Sequence, residues 1–281
     1  MVSAGLGFGD GSAHVTNARM YAITEKSRSA WRQIFAWLAE ETGVDLKPVE
    51  HPPPAPLSDL WARSDLGCVF MCGWPIARAK RRPRILAAPV PLPSRYHDEP
   101  IYFTDIVVAR DSRFRTIEDT FGGTVGWTLE DSNSGFNMLR HHLLAYRTPD
   151  RPLLYSKSVG SLINPLGALR AVAEGQVDVV PVDSFCHDLF LASDHPLTAL
   201  TRTLHTTPPS PMPALVASPD LPQDVAEALR AALLRAHRAP LLADALQAAL
   251  VRRFVNVEAT RYDYTEALAQ AAIAAGYPLP A

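Results

Sequence analysis

The sequence predicts an α/β protein with two lobes. Three observations carry this prediction: apolar runs typical of buried strands alternate with amphipathic helices, 281 residues are enough for two cores, and two extended segments bracket the middle of the chain. Strands separated by helices are typical of parallel sheets with helices on both faces. We therefore expect two mainly parallel sheets with flanking helices, and an interlobe cleft where the strand ends of both sheets meet.

The first hundred residues alternate between strands and helices. Four apolar residues with helical spacing predict a helix that ends near Gly43: Trp31, Ile34, Phe35 and Leu38. A short helix is predicted at 57–63, and strands are predicted at 17–23, 46–49, 66–71, 85–90 and 101–109.

The same alternation continues in the second half of the chain. Strands are predicted at 124–129, 177–182 and 214–217, and helices are predicted to begin near 116 and 131 and to cover 166–174. The remainder is an Ala/Leu-rich helical region, in which Val225, Leu229 and Leu233 form one apolar stripe.

Two extended segments divide the chain into lobes. The first lies near residues 102–104, and the second is the proline-rich stretch 206–213, where proline fixes φ and removes the amide proton. A central block that is entered and left at two adjacent crossings predicts a discontinuous first lobe, 1–104 plus 206–281. The second lobe is then 105–205.

Composition excludes several classes of function. A formal net charge of −2 gives no field that would attract nucleic acid, and no apolar stretch is long enough to span a bilayer. Residues 1–18 lack the pattern of a secretory signal, so either an export signal is missing from this sequence or the protein works in the cytoplasm. Three cysteines are too few for a disulfide framework, and no metal or cofactor motif is present.

The most informative chemistry is the anion loop, which we define as residues 131–135 (DSNSG). It follows a predicted strand and opens a helix whose Phe136, Leu139 and Leu143 share one face. Ser, Asn and Asp are favoured helix N-caps, and a glycine lets a ligand approach the backbone. Unpaired amides and the positive end of the helix dipole then favour an anion without Lys or Arg. The alternative is that these residues only cap the helix.

An ordered set of motifs resembles the phosphonate-binding (PhnD-like) substrate-binding proteins of ABC transporters. Residues 126–136 resemble the serine- and threonine-rich anion loop of that family. The other resembling segments are 22–25 (AITE), 65–75 (DLGCVFMCGWP), 102–108 (YFTDIVV) and 168–182 (ALRAVAEGQVDVVPV). Together they cover about residues 17–220.

The resemblance implies a type II periplasmic binding fold that captures a phosphonate, phosphite or related small oxyanion by lobe closure and delivers it to an ABC transporter permease. It also implies a periplasmic location. By position, the ligand would contact nine residues: Thr24, Glu25, Trp74, Tyr102, Ser132, Asn133, Ser134, Gly135 and Asp183. No catalytic residue, cofactor or metal is implied. The sequence departs from the family near residues 164–165, where binders of aminophosphonates carry a histidine.

Each implied contact has a structural alternative. Tyr102 would be a strand aromatic that packs between the lobes, and Asp183 would cap the segment that follows it. Trp74 would form a pocket wall, and Thr24 with Glu25 would cap the helix that contains Trp31. A second function also stays open, a cytoplasmic enzyme of lyase or biosynthetic type on the same fold, acting on a small carboxylate or phosphorylated metabolite. A third is a cytoplasmic sensor lobe.

Overall fold

The computed structural model describes residues 13–281. Its strands are β1 (His14–Asn17), β2 (Leu46–Pro48), β3 (Leu66–Met71), β4 (Arg84–Pro91), β5 (Ile101–Tyr102), β6 (Thr104–Ala109), β7 (Thr124–Gly126), β8 (Lys157–Val159), β9 (Val179–Asp183), β10 (Thr201–Thr206), β11 (Ser210–Pro211), β12 (Ala214–Ala217) and β13 (Val251–Val255).

The α-helices in this part of the chain are α1 (Glu25–Thr42), α2 (Leu57–Trp61), α3 (Gly73–Arg78), α4 (Met138–Leu143), α5 (Pro165–Ala173), α6 (Ser184–Leu191), α7 (Pro196–Leu200), α8 (Gln223–Arg235), α9 (Ala243–Ala248) and α10 (Asp263–Ala274). A π-helical turn, Asn133–Asn137, precedes α4. Short 3-10 turns lie at Ser94–Tyr96, Glu118–Thr120, Leu144–Tyr146, Ala236–Arg238, Pro240–Leu242 and Ala259–Tyr262.

The chain divides into two compact units. Unit 1 comprises the chain up to Cys72, Arg78–Pro100 and Met212–Ala259, and unit 2 comprises Gly73–Ala77, Ile101–Pro211 and Thr260–Ala281. Unit 2 therefore includes the C-terminal helix, which the sequence analysis assigned to the first lobe.

Packing explains this difference in the assignment of the C-terminal segment. Helix α10 packs against α4, and Tyr277 lies in the same apolar core as Ile106 and Leu139. The Leu154 amide also donates to the carbonyl of Ala281 at 2.9 Å. Sequence periodicity identifies such a helix but does not identify the core that receives it.

Unit 1 contains a six-stranded sheet with the order β13-β4-β12-β3-β1-β2. Helix α1 packs against α8 and α9, and α8 packs against β4 and β13. The stripe predicted on α8 is buried, as are the apolar residues predicted on α1. Gly43 ends α1 in the left-handed region, with φ of 69°, where glycine avoids the steric cost of a Cβ.

Unit 2 contains a five-stranded sheet with the order β10-β6-β9-β7-β8 and a two-stranded ribbon of β5 and β11. The ribbon joins the two chain crossings, since Tyr102 pairs with Ser210 and Ile101 with Pro211. The two predicted crossings are therefore neighbours. The predicted strand 101–109 is interrupted at Phe103, whose amide donates to the Ser184 hydroxyl and whose carbonyl accepts from the Ser184 amide.

Both sheets are mixed, with parallel and antiparallel strand pairs in each. Strand β12 is antiparallel to both β3 and β4, and β6 is antiparallel to both β9 and β10. The two chain crossings explain why β12 is antiparallel to β4 and why β6 is antiparallel to β10. The Met212 amide donates to the Pro100 carbonyl at 2.9 Å, so the outgoing and returning segments lie side by side. The strands that flank them consequently run in opposite directions.

A further difference concerns the first strand. The predicted strand 17–23 is wrong: β1 ends at Asn17, and the amides of Tyr21 and Ala22 donate to the Ala18 carbonyl in a turn before α1. Within residues 13–281, the helices are all too short or too polar to cross a bilayer.

A half-buried histidine on α4 predicts a pH dependence of stability. The His142 ring stacks on His205, with ring centroids 4.8 Å apart, and its edge lies near Tyr146. Burial, and then the charges of His205 and His141, lower the pKa of His142 from 6.5 to about 4. Between these two pH values the unfolded chain binds a proton that the folded chain excludes. As the pH falls through this window, we expect His142 to reduce the free energy of unfolding by about 1–2 kcal/mol, allowing for its partial exposure.

The measurement is urea denaturation of the wild type and His142→Phe at several pH values from 7 to 4. Phenylalanine keeps the ring contacts and removes the titrating group, so the variant should lose less stability than the wild type over this range. His237→Phe is the control, because His237 is exposed and its replacement should leave the pH dependence unchanged. Parallel pH profiles of the wild type and His142→Phe would contradict the prediction.

Candidate anion-binding site

The candidate site lies at one edge of the sheet in unit 2. Strands β7, β8 and β9 are parallel to one another, so their carboxyl ends lie on the same edge. The π turn that leads into α4 follows β7, α5 follows β8, and α6 follows β9. Three helical segments therefore begin at this edge, where the positive ends of their dipoles favour an anion.

The anion loop opens the first of these segments. Ser132 is the N-cap, and its hydroxyl accepts from the Gly135 amide at 2.9 Å. The predicted helix does begin here, but its first turn is π-helical, because the Asn137 amide donates to the Ser132 carbonyl at 3.1 Å. Single π turns occur often at functional sites. Ser132 therefore caps the helix, and its hydroxyl already accepts one hydrogen bond.

Gly135 is required by close packing inside the loop. A Cβ at this position would lie 1.9 Å from the Thr128 hydroxyl oxygen and 2.9 Å from the Ser132 hydroxyl oxygen. The Thr128 amide also donates to the Gly135 carbonyl at 3.1 Å. Thr128 therefore fills the space beside Gly135, where the sequence analysis expected a ligand.

Asn133 begins a line of buried hydrogen bonds that we call the polar ladder, formed by Asn133, Asn137 and Arg140. The Asn133 amide nitrogen donates to the Tyr102 hydroxyl at 2.9 Å and to the Ser210 hydroxyl at 3.0 Å. Asn137 in turn donates to the Asn133 side-chain oxygen at 3.1 Å. Tyr102 and Asn133 are fully buried, so in this structure they fix the loop to the β5–β11 ribbon.

The ladder continues to a buried cation. One Arg140 nitrogen donates to the Asn137 side-chain oxygen at 3.1 Å and another to the Pro278 carbonyl at 2.8 Å. The guanidinium lies 4.8 Å from the centre of the Phe136 ring, in a favourable cation–π geometry. Arg140 is buried and lies about 7.5 Å along the helix from Gly135.

Ser134 and Asp183 meet at the carboxyl ends of β7 and β9. Ser134 is 5% exposed, and its hydroxyl lies 3.4 Å from one Asp183 carboxylate oxygen. The Ser134 carbonyl accepts from the Thr104 hydroxyl at 2.9 Å. The other Asp183 oxygen accepts from the amides of Phe185 and Cys186 and caps α6. Asp183 therefore caps α6 in this structure.

Trp74 packs against the side of the helix that follows the loop. Its ring stacks on Phe136 with an interplanar angle of 9° and ring centroids 6.5 Å apart. Its indole nitrogen donates to a Glu266 carboxylate oxygen at 2.8 Å. Trp74 is buried, which fits its alternative interpretation as a wall.

Two predicted contacts, Thr24 and Glu25, lie in unit 1 at the start of α1. The Thr24 hydroxyl accepts from the Ser27 amide, and the Ser27 hydroxyl accepts from the Thr24 amide, which together form a capping box. Thr24 thus caps α1, and its capping partner is Ser27, whereas the sequence analysis named Glu25. Glu25 is exposed and forms ion pairs with Arg28 and Arg32.

A second loop, 158–164, is fixed beside the anion loop. The Leu162 amide donates to the Trp127 carbonyl at 3.0 Å, and the Ser161 hydroxyl donates to the Thr128 carbonyl at 2.6 Å. The Trp127 ring covers Gly160, since a Cβ there would lie 2.1 Å from a ring carbon. Hydrogen bonds therefore link the segment that follows β7 to the segment that follows β8.

Sequence reasoning missed Asn137, Arg140, Thr104 and Thr128. A signal for the first two existed, because residues 133, 137 and 140 are spaced i, i+4, i+7 and share one face of a helix. That face includes an arginine among apolar residues. Thr104 and Thr128 had no such signal, because their contacts depend on strand pairing.

The sequence matches the family described as "ABC transporter, phosphonate, periplasmic substrate-binding protein" over residues 22–262. The chain belongs to this family. The members of this phosphonate-binding family are solute-binding proteins, so the family supports a substrate-binding role for an ABC transporter, with a small anion ligand and a permease partner, and does not favour the enzyme alternative.

Solved structures share the type II periplasmic binding fold of the family. A binding protein component of an ABC phosphonate transporter from Pseudomonas aeruginosa superposes with a TM-score of 0.79 at 16% identity, covering 95% of this chain and 88% of that chain. PhnD1 from Prochlorococcus marinus in complex with methylphosphonate has a TM-score of 0.76 at 14% identity, covering 92% of this chain and 97% of that one.

A third similar structure is the periplasmic aliphatic sulphonate binding protein SsuA from Escherichia coli. Its TM-score is 0.55 at 15% identity, with 95% of this chain and 90% of that chain covered. A search of curated proteins finds no significant match.

Gly135→Ala should distort the anion loop. The added Cβ meets the Thr128 hydroxyl at a distance that no relaxed structure tolerates, and overpacking of this kind costs about 1–3 kcal/mol. We expect a lower midpoint of urea unfolding for this variant. Adding Thr128→Ala removes the closest contact and should restore part of the loss, whereas a double variant less stable than the sum of the single changes would contradict this account.

Proposed function

We propose that this member of the phosphonate-binding family captures a phosphonate, phosphite or related small oxyanion, and that the oxygens of the ligand bind at the anion loop. The observation that supports this most is the meeting of three helix starts at one sheet edge, with Ser132, Ser134 and Gly135 at the first of them. Neutral donors held in place by packing favour an anion that has given up its water, because the site needs little reorganisation on binding.

The pair of Ser134 and Asp183 provides a basis for selecting among oxyanions. A hydroxyl that donates to a carboxylate has lone pairs left to accept a hydrogen bond, so Ser134 suits an oxyanion that still carries an acidic hydrogen. A phosphonate or phosphite monoanion has such a hydrogen, and a sulfonate does not. Asp183 is the proposed acceptor that biases the protein toward phosphorus oxyanions.

The other predicted contacts have different roles in the proposal. Tyr102 and Asn133 position the loop through the buried bonds of the polar ladder, and Trp74 supports Phe136 behind it. The Thr24 hydroxyl is engaged in the capping box of α1. PhnD1, a similar structure, binds methylphosphonate, which supports the same ligand class here.

Ser134→Ala tests the proposed site. Removing a hydrogen bond to a charged ligand costs about 1.5–3 kcal/mol, which corresponds to a rise in Kd of about ten- to a hundredfold. We expect this rise for phosphite and for methylphosphonate in isothermal titration calorimetry, with little change in the unfolding midpoint.

Ser156→Ala is the matched control. Ser156 lies just before β8, at the opposite edge of the same sheet, and its hydroxyl donates to the Gly123 carbonyl at 3.1 Å. This variant should bind phosphonates as the wild type does. Equal affinity of Ser134→Ala and the wild type for every oxyanion would remove the anion loop from the proposal.

A further inference from the structure

Loop 158–164 contains a residue in an unusual backbone conformation. Ile163 has φ of 66°, and the Asn164 amide donates to the Leu162 carbonyl at 2.7 Å. This is a γ-turn with positive φ at its centre, the rarer and more strained of the two γ-turn forms. A β-branched residue avoids this region more strongly than others, so isoleucine is an unexpected choice here.

The surrounding contacts hold Ile163 in this conformation. On one side, Leu162 and Ser161 are bonded to the carbonyls of Trp127 and Thr128. On the other side, the Asn164 side chain accepts from the Gly167 amide at 2.9 Å and caps α5. A Cβ on Gly167 would lie 2.2 Å from the Leu162 carbonyl oxygen, so the start of α5 presses directly on the turn.

The turn presents an apolar side chain beside the anion loop. Ile163 is 41% exposed, although Leu162 next to it packs against Gly126. The turn is bonded to Thr128, and Thr128 packs on Gly135. An exposed isoleucine therefore lies at the same sheet edge as the proposed oxyanion contacts. Strained residues of this kind are concentrated at ligand-binding sites.

We propose that Ile163 is a specificity-determining residue that contacts the organic substituent of the ligand and favours uncharged alkylphosphonates. This inference rests on the proposed function, because it takes the oxygens of the ligand to bind at the anion loop. A phosphonate has three oxygens at one end and a carbon substituent at the other, and the substituent needs an apolar surface near the oxygen site. Ile163 supplies that surface.

The test is a calorimetric series of phosphite and methyl-, ethyl-, propyl- and butylphosphonate with the wild type and Ile163→Asn. Asparagine accepts positive φ, so this variant should fold at least as well as the wild type. In the wild type we expect each added methylene to strengthen binding about two- to fourfold, as partial burial of a methylene predicts. In Ile163→Asn the affinity for phosphite should stay within about twofold, and the gain with chain length should disappear.

Two further variants separate specificity from structure. Ile163→Leu keeps an apolar side chain and should retain most of the chain-length dependence. Leu153→Asn changes another exposed apolar residue of unit 2, 62% exposed, and should leave the dependence as in the wild type.

The outcomes distinguish this inference from the proposed function. If the wild type binds no phosphorus oxyanion, the proposed function fails. If it binds them and Ile163→Asn keeps the chain-length dependence, only the role of Ile163 is overturned. Tighter binding of 2-aminoethylphosphonate than of propylphosphonate by the wild type would also overturn it, because that result requires an acidic partner for the substituent.

Discussion

The buried bonds of the polar ladder are the constraint on which the candidate site depends. Asn133 joins the β5–β11 ribbon to the start of a helix, Asn137 continues the line, and Arg140 ends it at a backbone carbonyl near the C-terminus. Buried polar groups are costly unless each finds a partner, and a network with its partners in place fixes one arrangement. The position of the anion loop is thereby set from behind, by groups that never need to touch the ligand.

In this arrangement the positive charge of Arg140 lies apart from the groups that are proposed to contact the ligand. The groups proposed to contact the ligand are hydroxyls, amides and the Asp183 carboxylate, while the guanidinium of Arg140 is buried and lies over the Phe136 ring. A cation in direct contact would bind many anions by attraction alone. Neutral donors over a buried charge instead make binding depend on hydrogen-bond geometry, which is better suited to distinguishing oxyanions of equal charge.

Much of the fold was predictable from the sequence, because local patterns specify local structure. Strands β3 and β12 coincide with the predicted ranges 66–71 and 214–217, and Gly43 ends α1 as expected. Strand direction was not predictable in the same way. Whether β12 runs with or against β4 depends on where the chain re-enters the sheet, and that is fixed by contacts between distant residues such as Pro100 and Met212.

The site shows the same division between local and distant information. The pattern of residues 131–135 predicts a helix start, and a helical segment begins there in the structure. The partners of those residues come from segments far along the chain: Tyr102 and Ser210 for Asn133, Thr104 for Ser134, and Thr128 for Gly135. The unusual turn at Ile163 also had no sequence signal, since nothing in the pattern marks isoleucine for positive φ. Its conformation follows from the pressure of α5 on one side and Trp127 on the other.

The assignment of Thr260–Ala281 to unit 2 has a consequence for how the protein is made. The ribosome releases the chain from its N-terminal end, and domains generally fold as units once they are complete. Arg140 finds its last acceptor at Pro278, and the Leu154 amide pairs with Ala281. Unit 2 therefore completes its buried hydrogen bonds only after Pro278 and Ala281, which lie far along the chain from its sheet, have been translated.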